Sequence, residues 1–207
     1  MRLTVVGLGK LGSPLAAVLA SQGFEVIGVD VNDATVAAIN AGRAPLEEPR
    51  LQEMLDRAGG RLSTTTDIAA AVAQTDATFI IVPTPSKANG LFSLKYVLEA
   101  AEGIGKGLRR RDGFHLVVLT STVMPGDTEG FLLPALEAAS GKVCGRDFGL
   151  CYHPEFIALG NVVNNLLAPD FILIGQADRR SGDMLAGICR NLCTNDPPIT
   201  SMAIVNA

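Results

Sequence analysis

Charge is scarce in this sequence. Charged residues make up 18% of the 207 residues and sum to a formal charge of −4, with an isoelectric point near 5.2. The basic excess of a nucleic-acid footprint is missing, so a polyanion partner is excluded. The one dense basic run, Arg109-Arg110-Arg111, fits a solvated helix end near the negative pole of the helix dipole. The four cysteines (Cys144, Cys151, Cys189 and Cys193) include no CxxC pair. Cys189 and Cys193 share a helix face at i,i+4, but no nearby histidine completes a ligand set, so no metal is expected. The thiols read as small buried hydrophobes in a reducing cytosol. No uncharged apolar run is long enough to span a membrane. Arg2, the apolar stretch after it and Val18-Leu19-Ala20-Ser21 faintly imitate a secretory signal. Lys10 and three glycines interrupt that stretch, and a strand–turn–helix fits it better. A soluble, cytoplasmic chain with neither membrane nor nucleic-acid partner is expected. Repeats and low-complexity tracts are absent as well.

What the sequence has in quantity is apolar surface. Hydrophobic residues make up 48% of it, ample for a packed core and against disorder. Short β-rich runs alternate with helical stretches. Strands are expected at residues 3–6, 24–29, 62–64, 77–82, 114–120, 148–151 and 171–174. Helices are expected at about 10–22, from Asn32 or Asp33 to Asn40, at 51–58, after Thr66 or Asp67, and at 93–108, 127–139 and 181–192. This alternation implies a doubly wound α/β (Rossmann) fold: a mostly parallel sheet with helices on both faces. Pro197-Pro198 punctuates the last helix. The division expected is therefore a dinucleotide-binding domain at residues 1–195 and the start of a linker at 196–207.

Gly7-x-Gly9-x-x-Gly12 lies between the first strand and the first helix. The motif alone is weak, but its context is right: strand before, helix after, acidic residue at the end of the next strand. Gly7 permits the tight turn, Gly9 leaves room for a pyrophosphate, and Gly12 lets helix and strand pack closely. Leu8, Lys10 and Leu11 complete the loop, whose amides and helix dipole favour phosphate. Asp30 closes strand two, where its carboxylate accepts hydrogen bonds from a ribose and repels a 2′-phosphate. The expected cofactor is therefore NAD rather than NADP. The competing reading gives the glycines to packing and Asp30 to capping the next helix.

Four later segments go beyond a generic dinucleotide fold. They are Pro45-Leu46-Glu47-Glu48-Pro49-x-Leu51, Val82-Pro83-Thr84-Pro85, Ser121-Thr122-Val123-x-Pro125-Gly126, and His153-Pro154-Glu155-Phe156-Ile157 followed by Gly160 and Pro169-Asp170-x-x-x-x-Gly175. In this order and spacing they resemble the UDP-glucose/GDP-mannose dehydrogenase family, over the whole chain. The resemblance implies oxidation of the C6 alcohol of a nucleotide sugar to a carboxylate, consuming two NAD. It places Ser121 and Thr122 beside the nicotinamide, with Thr122 orienting a water or the reacting oxygen. It makes Glu155 the group that assists water attack on the acyl intermediate. A carboxylate suits that task, because a partly buried glutamate can have its pKa raised toward neutrality. Thr84, between Pro83 and Pro85, either faces the cofactor or serves only the turn. Arg43 either reaches cofactor phosphate or adenine edges or is an ordinary surface residue.

This chain also departs from the family pattern. Leu159 precedes Gly160 where the family usually has glutamate. Phe171 follows Asp170 where it has arginine. Asp127 replaces a small hydroxyl residue, and His153 stands in place of asparagine and reads as structural. The family's nucleophilic cysteine lies in a second domain, beyond a central helix that supplies a lysine and an asparagine, and none of the four cysteines here matches it. The resemblance therefore implies an N-terminal NAD-binding portion without turnover of its own, from an enzyme expected to be a homodimer. Two rival readings stand beside it: a β-hydroxyacid dehydrogenase, which shares a similar front domain, and a non-catalytic NAD-binding module.

Overall fold

The computed structural model describes residues 1–207. Eight strands form one sheet: β1 (Arg2–Val6), β2 (Glu25–Val29), β3 (Leu62–Thr65), β4 (Ala77–Ile80), β5 (His115–Leu119), β6 (Phe148–Tyr152), β7 (Ile172–Gln176) and β8 (Ile199–Ala203). Their order is β3-β2-β1-β4-β5-β6-β7-β8. All neighbours are parallel except β6 and β7. The doubly wound reading holds. The chain runs from β1 outward to β3, then crosses back to β4 on the other side of β1. Loops leaving β1 and β4 therefore diverge and open a crevice at the carboxyl edge of the sheet.

Eight α-helices cover the two faces: α1 (Gly12–Ser21), α2 (Asp33–Asn40), α3 (Leu51–Ala58), α4 (Ile68–Ala73), α5 (Lys95–Arg109), α6 (Leu133–Ser140), α7 (Val162–Leu167) and α8 (Arg179–Leu192). One apolar cluster joins α1, α3, α7 and α8 to residues such as Leu3, Val118 and Cys151 of the sheet. The other joins α4, α5 and α6 to the opposite face, through Val6, Leu119 and Leu150. Helix α1 is buried along nearly its whole length. That explains its Ala- and Leu-rich composition, because a helix enclosed on all sides has no polar face to present. Side-chain caps start three of the helices, two of them at positions the sequence suggests. Asn32 Oδ1 accepts from the Ala34 amide at 2.9 Å, Asp67 Oδ1 from Ala70 at 2.9 Å, and Asp178 Oδ1 from Ser181 at 3.0 Å.

Several elements differ from expectation. Residues 196–207, read as the start of a linker, carry β8 and a 3₁₀ turn (Ile204–Asn206). The β8 strand runs parallel to β7 from the Ile172–Ile199 pair onward. Pro198 does not end the structure: a proline cannot donate but still accepts, and its carbonyl takes the Ile172 amide at 2.9 Å. Helix α7, six residues long, is too short for its periodicity to show in sequence. The helix expected from Asp127 instead starts with a π-helical turn (Thr128–Leu132) that leads into α6. No helix is long and apolar enough to cross a membrane.

Candidate functional site

The glycine loop sits at the carboxyl end of β1. Gly7 adopts φ +94°, a conformation that side chains resist. A Cβ on Gly12 would lie 1.7 Å from the Gly7 carbonyl oxygen, so only glycine allows helix and loop to approach this closely. Around Gly9 the space is open, with no atom within 4 Å of an added Cβ. The Gly7 and Leu8 amides are taken by Val29 and Asp30, and the next amide to find an intramolecular acceptor is that of Ser13, which bonds the Gly9 carbonyl at 3.0 Å. The amides of Gly9, Lys10, Leu11 and Gly12 are left at the positive end of α1, a geometry that suits a pyrophosphate. Lys10 is exposed, while Leu8 turns its side chain into the core.

Asp30 follows β2 and faces this loop. Its Oδ2 accepts the Leu8 amide at 2.6 Å and its Oδ1 the Asn32 amide at 2.9 Å. Each oxygen keeps a lone pair for a ribose hydroxyl. The carboxylate thus braces the loop, and the capping role falls to Asn32.

On the other side of the crevice, β4 ends earlier than expected, and Ile81 to Pro85 form a loop. Ser121 joins this loop to the end of β5, donating its hydroxyl to the Val82 carbonyl at 2.7 Å. Its side chain is therefore spent on holding the two strand ends together. Thr84 is half-buried between exposed Pro83 and Pro85, and Thr122 is exposed at the carboxyl edge. Arg43 is exposed on the loop after α2. Sequence reasoning passed over Thr120, which is 6% exposed and whose Oγ1 has no hydrogen-bond partner. A buried hydroxyl left open at the carboxyl end of a parallel strand is where a ligand group belongs.

The Glu155 segment follows β6. The His153 amide donates to the Leu119 carbonyl at 2.8 Å, carrying the β5–β6 ladder one step beyond Tyr152. Alternation puts Thr120 and His153 on the same face of the sheet, the one covered by α1, α7 and α8. Glu155 does not project freely into solvent. Its Oε1 lies 3.3 Å from His153 Nδ1, with the two side chains 15% and 10% exposed. The pair is close but not aligned for a hydrogen bond, since Nδ1 has no partner by geometry. On the far side of the ring, His153 Nε2 is 4.0 Å from Cys189 Sγ. Burial pushes the imidazole pKa down, but the Glu155 carboxylate and Cys189 beside it outweigh burial and hold it well above its ordinary value. These groups line a cavity of about 100 Å³, together with Asp170, Phe171 and Cys193.

The segment Pro45 to Leu51 also acquires a structural task. Glu48 accepts the Val162 amide at 2.8 Å and the Gly160 amide at 3.2 Å. Arg50 donates to Asn164 Oδ1 at 2.6 Å. The loop after α2 thereby clamps the start of α7 and the end of the Glu155 loop.

The model of the UDP-glucose/GDP-mannose dehydrogenase family, NAD binding domain, matches residues 1–193. The chain belongs to this family. As the family's NAD-binding domain, it is 41% identical over 201 residues to GDP-mannose 6-dehydrogenase of Pseudomonas aeruginosa, an alignment covering 96% of this chain and 45% of that protein. It is 39% identical to UDP-glucose 6-dehydrogenase of Haloferax volcanii, covering 100% of this chain and 49% of that one. The solved ternary complex of the Pseudomonas aeruginosa GDP-mannose dehydrogenase superposes with a TM-score of 0.95 at 38% identity, over 100% of this chain and 47% of that chain. The dehydrogenase domain therefore spans about half the length of the curated relatives it matches. The open amides after β1, the space over Gly9 and the spare lone pairs of Asp30 fit the dinucleotide that the family binds.

Proposed function

We propose that this chain is the dinucleotide-binding half of a nucleotide-sugar 6-dehydrogenase, which oxidises the C6 alcohol of a UDP- or GDP-hexose to a uronate. One observation carries the reading. The cradle of Gly7 to Gly12 facing Asp30 and the loop holding Glu155 meet at one sheet edge, bridged by the ends of β4 and β5. The bound nicotinamide supplies the hydride acceptor for each oxidation. The chain's own groups do the rest. The amides of Gly9 to Gly12 hold the pyrophosphate, and Asp30 grips the ribose and rejects a 2′-phosphate. Pro83, Thr84, Pro85 and Ser121 shape the wall against which the nicotinamide rests. Thr122 orients the reacting oxygen, and Glu155 takes a proton from the attacking water in the final hydrolysis. The substrate is a nucleotide sugar, and the working enzyme is a homodimer.

Relatives acting on a GDP-sugar and on a UDP-sugar are similar to this chain to nearly the same degree, so the test carries both. The full-length protein is incubated with NAD and either UDP-glucose or GDP-mannose, and NADH is followed by its absorbance. Two NADH per uronate support the reading. One NADH per sugar, or none with either substrate, overturns it. Glu155→Gln separates an enzyme from a non-catalytic NAD-binding module, because it cripples turnover only in the former.

A further inference from the structure

His153 sits between two chemically active side chains that come from different parts of the chain. Glu155 Oε1 is 3.3 Å from one ring nitrogen, and Cys189 Sγ is 4.0 Å from the other. The residue is held by its backbone and enclosed. Its backbone amide is tied to the Leu119 carbonyl at 2.8 Å, and the residue is 8% exposed. Nδ1 finds no other protein acceptor, so the only group in reach that can compensate a charge there is the Glu155 carboxylate. The remaining titratable groups around the cavity are Asp170, on the loop before β7, and Cys193, at the end of α8. From the strand beneath comes Cys151, a buried thiol whose pKa burial raises further out of range. No lysine or arginine lines the cavity. His153 is therefore its one source of positive charge.

We propose that His153 is a positioning residue for Glu155: a buried ring, backed by Cys189, that anchors the carboxylate beside the cavity and ties it to the end of β5. The functional side of this inference rests on the reading of Glu155 as the base of the hydrolytic step. The anchor holds the carboxylate in place beside the cavity. Its hold lapses as pH rises and the ring loses its charge. A neutral side chain at this position supplies neither the charge nor the pH dependence.

The test has two arms. Histidine occurs only twice in the chain, at 115 and 153, so each ring is identified in NMR titrations by comparison with a His115 variant. Glu155→Gln in this chain is expected to lower the His153 midpoint by about 1–3 pH units, the range for losing an opposite charge at this distance. A midpoint that stays within a few tenths of a unit overturns the proposal. In the full-length enzyme, His153→Asn and His153→Gln are expected to lower kcat at least about tenfold, leave the KM for NAD unchanged, and remove an alkaline limb from the pH profile of kcat. Unchanged kcat and pH profile in both variants also overturn it, since a merely structural histidine would not move the profile. If the NMR midpoint moves but Glu155→Gln retains full turnover, the pairing stands and the catalytic reading of Glu155 falls.

Discussion

The amide of Leu8 donates to Oδ2 of Asp30 at 2.6 Å. Twenty-two residues apart in sequence, the two residues fasten the glycine loop of β1 to the end of β2. The carboxylate expected to grip a ribose thus also shapes the loop expected to hold the pyrophosphate. Losing it removes two functions at once.

Asp30→Asn is therefore expected to weaken NAD binding by about tenfold or more, from the loss of charge-assisted hydrogen bonds worth roughly 1.5–3 kcal/mol. The preference for NAD over NADP narrows in the same variant, because the repulsion of a 2′-phosphate is gone. Calorimetric titration with both dinucleotides measures both effects. An unchanged ratio of the two affinities would show that Asp30 does not face the ribose.

Two glycines of one motif are expected to fail in different ways. A Cβ at position 9 meets nothing within 4 Å, whereas one at position 12 lies 1.7 Å from the Gly7 carbonyl oxygen. Gly9→Ala leaves the melting temperature nearly unchanged and lowers NAD affinity about tenfold or more, by standing where the pyrophosphate must come. Gly12→Ala costs about 1–3 kcal/mol or more of stability through backbone overlap, a fall of roughly 2–4 °C per kcal/mol for a domain of this size. Thermal melts and NAD titrations on both variants separate the two outcomes.

His115 is expected to make the domain acid-sensitive. It lies buried at the start of β5, with Nε2 2.8 Å from Thr78 Oγ1 and Nδ1 2.9 Å from the Thr75 carbonyl. Burial, helped by the nearby Arg111 charge, pushes its pKa from 6.5 down to about 4. The unfolded chain therefore takes up this proton first. Stability is complete above pH 6.5 and falls as pH drops toward about 4, a loss of about 3 kcal/mol. His153, with its pKa raised, acts in the opposite direction: its contribution is complete below the unfolded value and is lost as pH rises through the folded one. Denaturant titrations between pH 4 and 8 on the wild type and His115→Gln check the acid side. A parallel fall in both proteins would rule His115 out as the cause.

Glu48→Ala is expected to loosen the segment from Glu155 to α7 without disturbing the glycine loop. The carboxylate holds the amides of Gly160 and Val162, more than a hundred residues away in sequence. Hydrogen bonds to a charged group are worth about 1.5–3 kcal/mol, so amide exchange at these positions quickens by about tenfold or more. Exchange at Gly7 to Gly12 stays as in the wild type. Equal protection of Gly160 and Val162 in both proteins would contradict this assignment.

The elements legible in sequence are those whose cause is local. Asn32 and Asp67 announce helix starts through their own side chains. Leu3 to Val6 is read as a buried strand because all four residues are apolar or β-branched and all four are enclosed. Gly7, Gly9 and Gly12 are readable because one turn of backbone imposes all three requirements. Strand β8 escaped because an edge strand buries little: Thr200 and Ser201 are exposed, and hydrophobic patterning has little to show there. Helix α7 escaped because six residues give fewer than two turns of periodicity.

By itself, then, the sequence determined the doubly wound fold, through its alternation of strands and helices, and the glycine turn after β1 with the acidic residue opposite it, since backbone conformation and spacing within about thirty residues are enough to specify those two. Only the tertiary structure decided what Glu155 touches. His153 is Glu155's near neighbour in sequence, but Cys189 reaches that pair from α8 and Glu48 reaches the same segment from the loop after α2, and those distances exist only once the sheet is assembled. An ion pair or a thiol contact leaves no periodicity in a sequence, because what creates it is proximity in space.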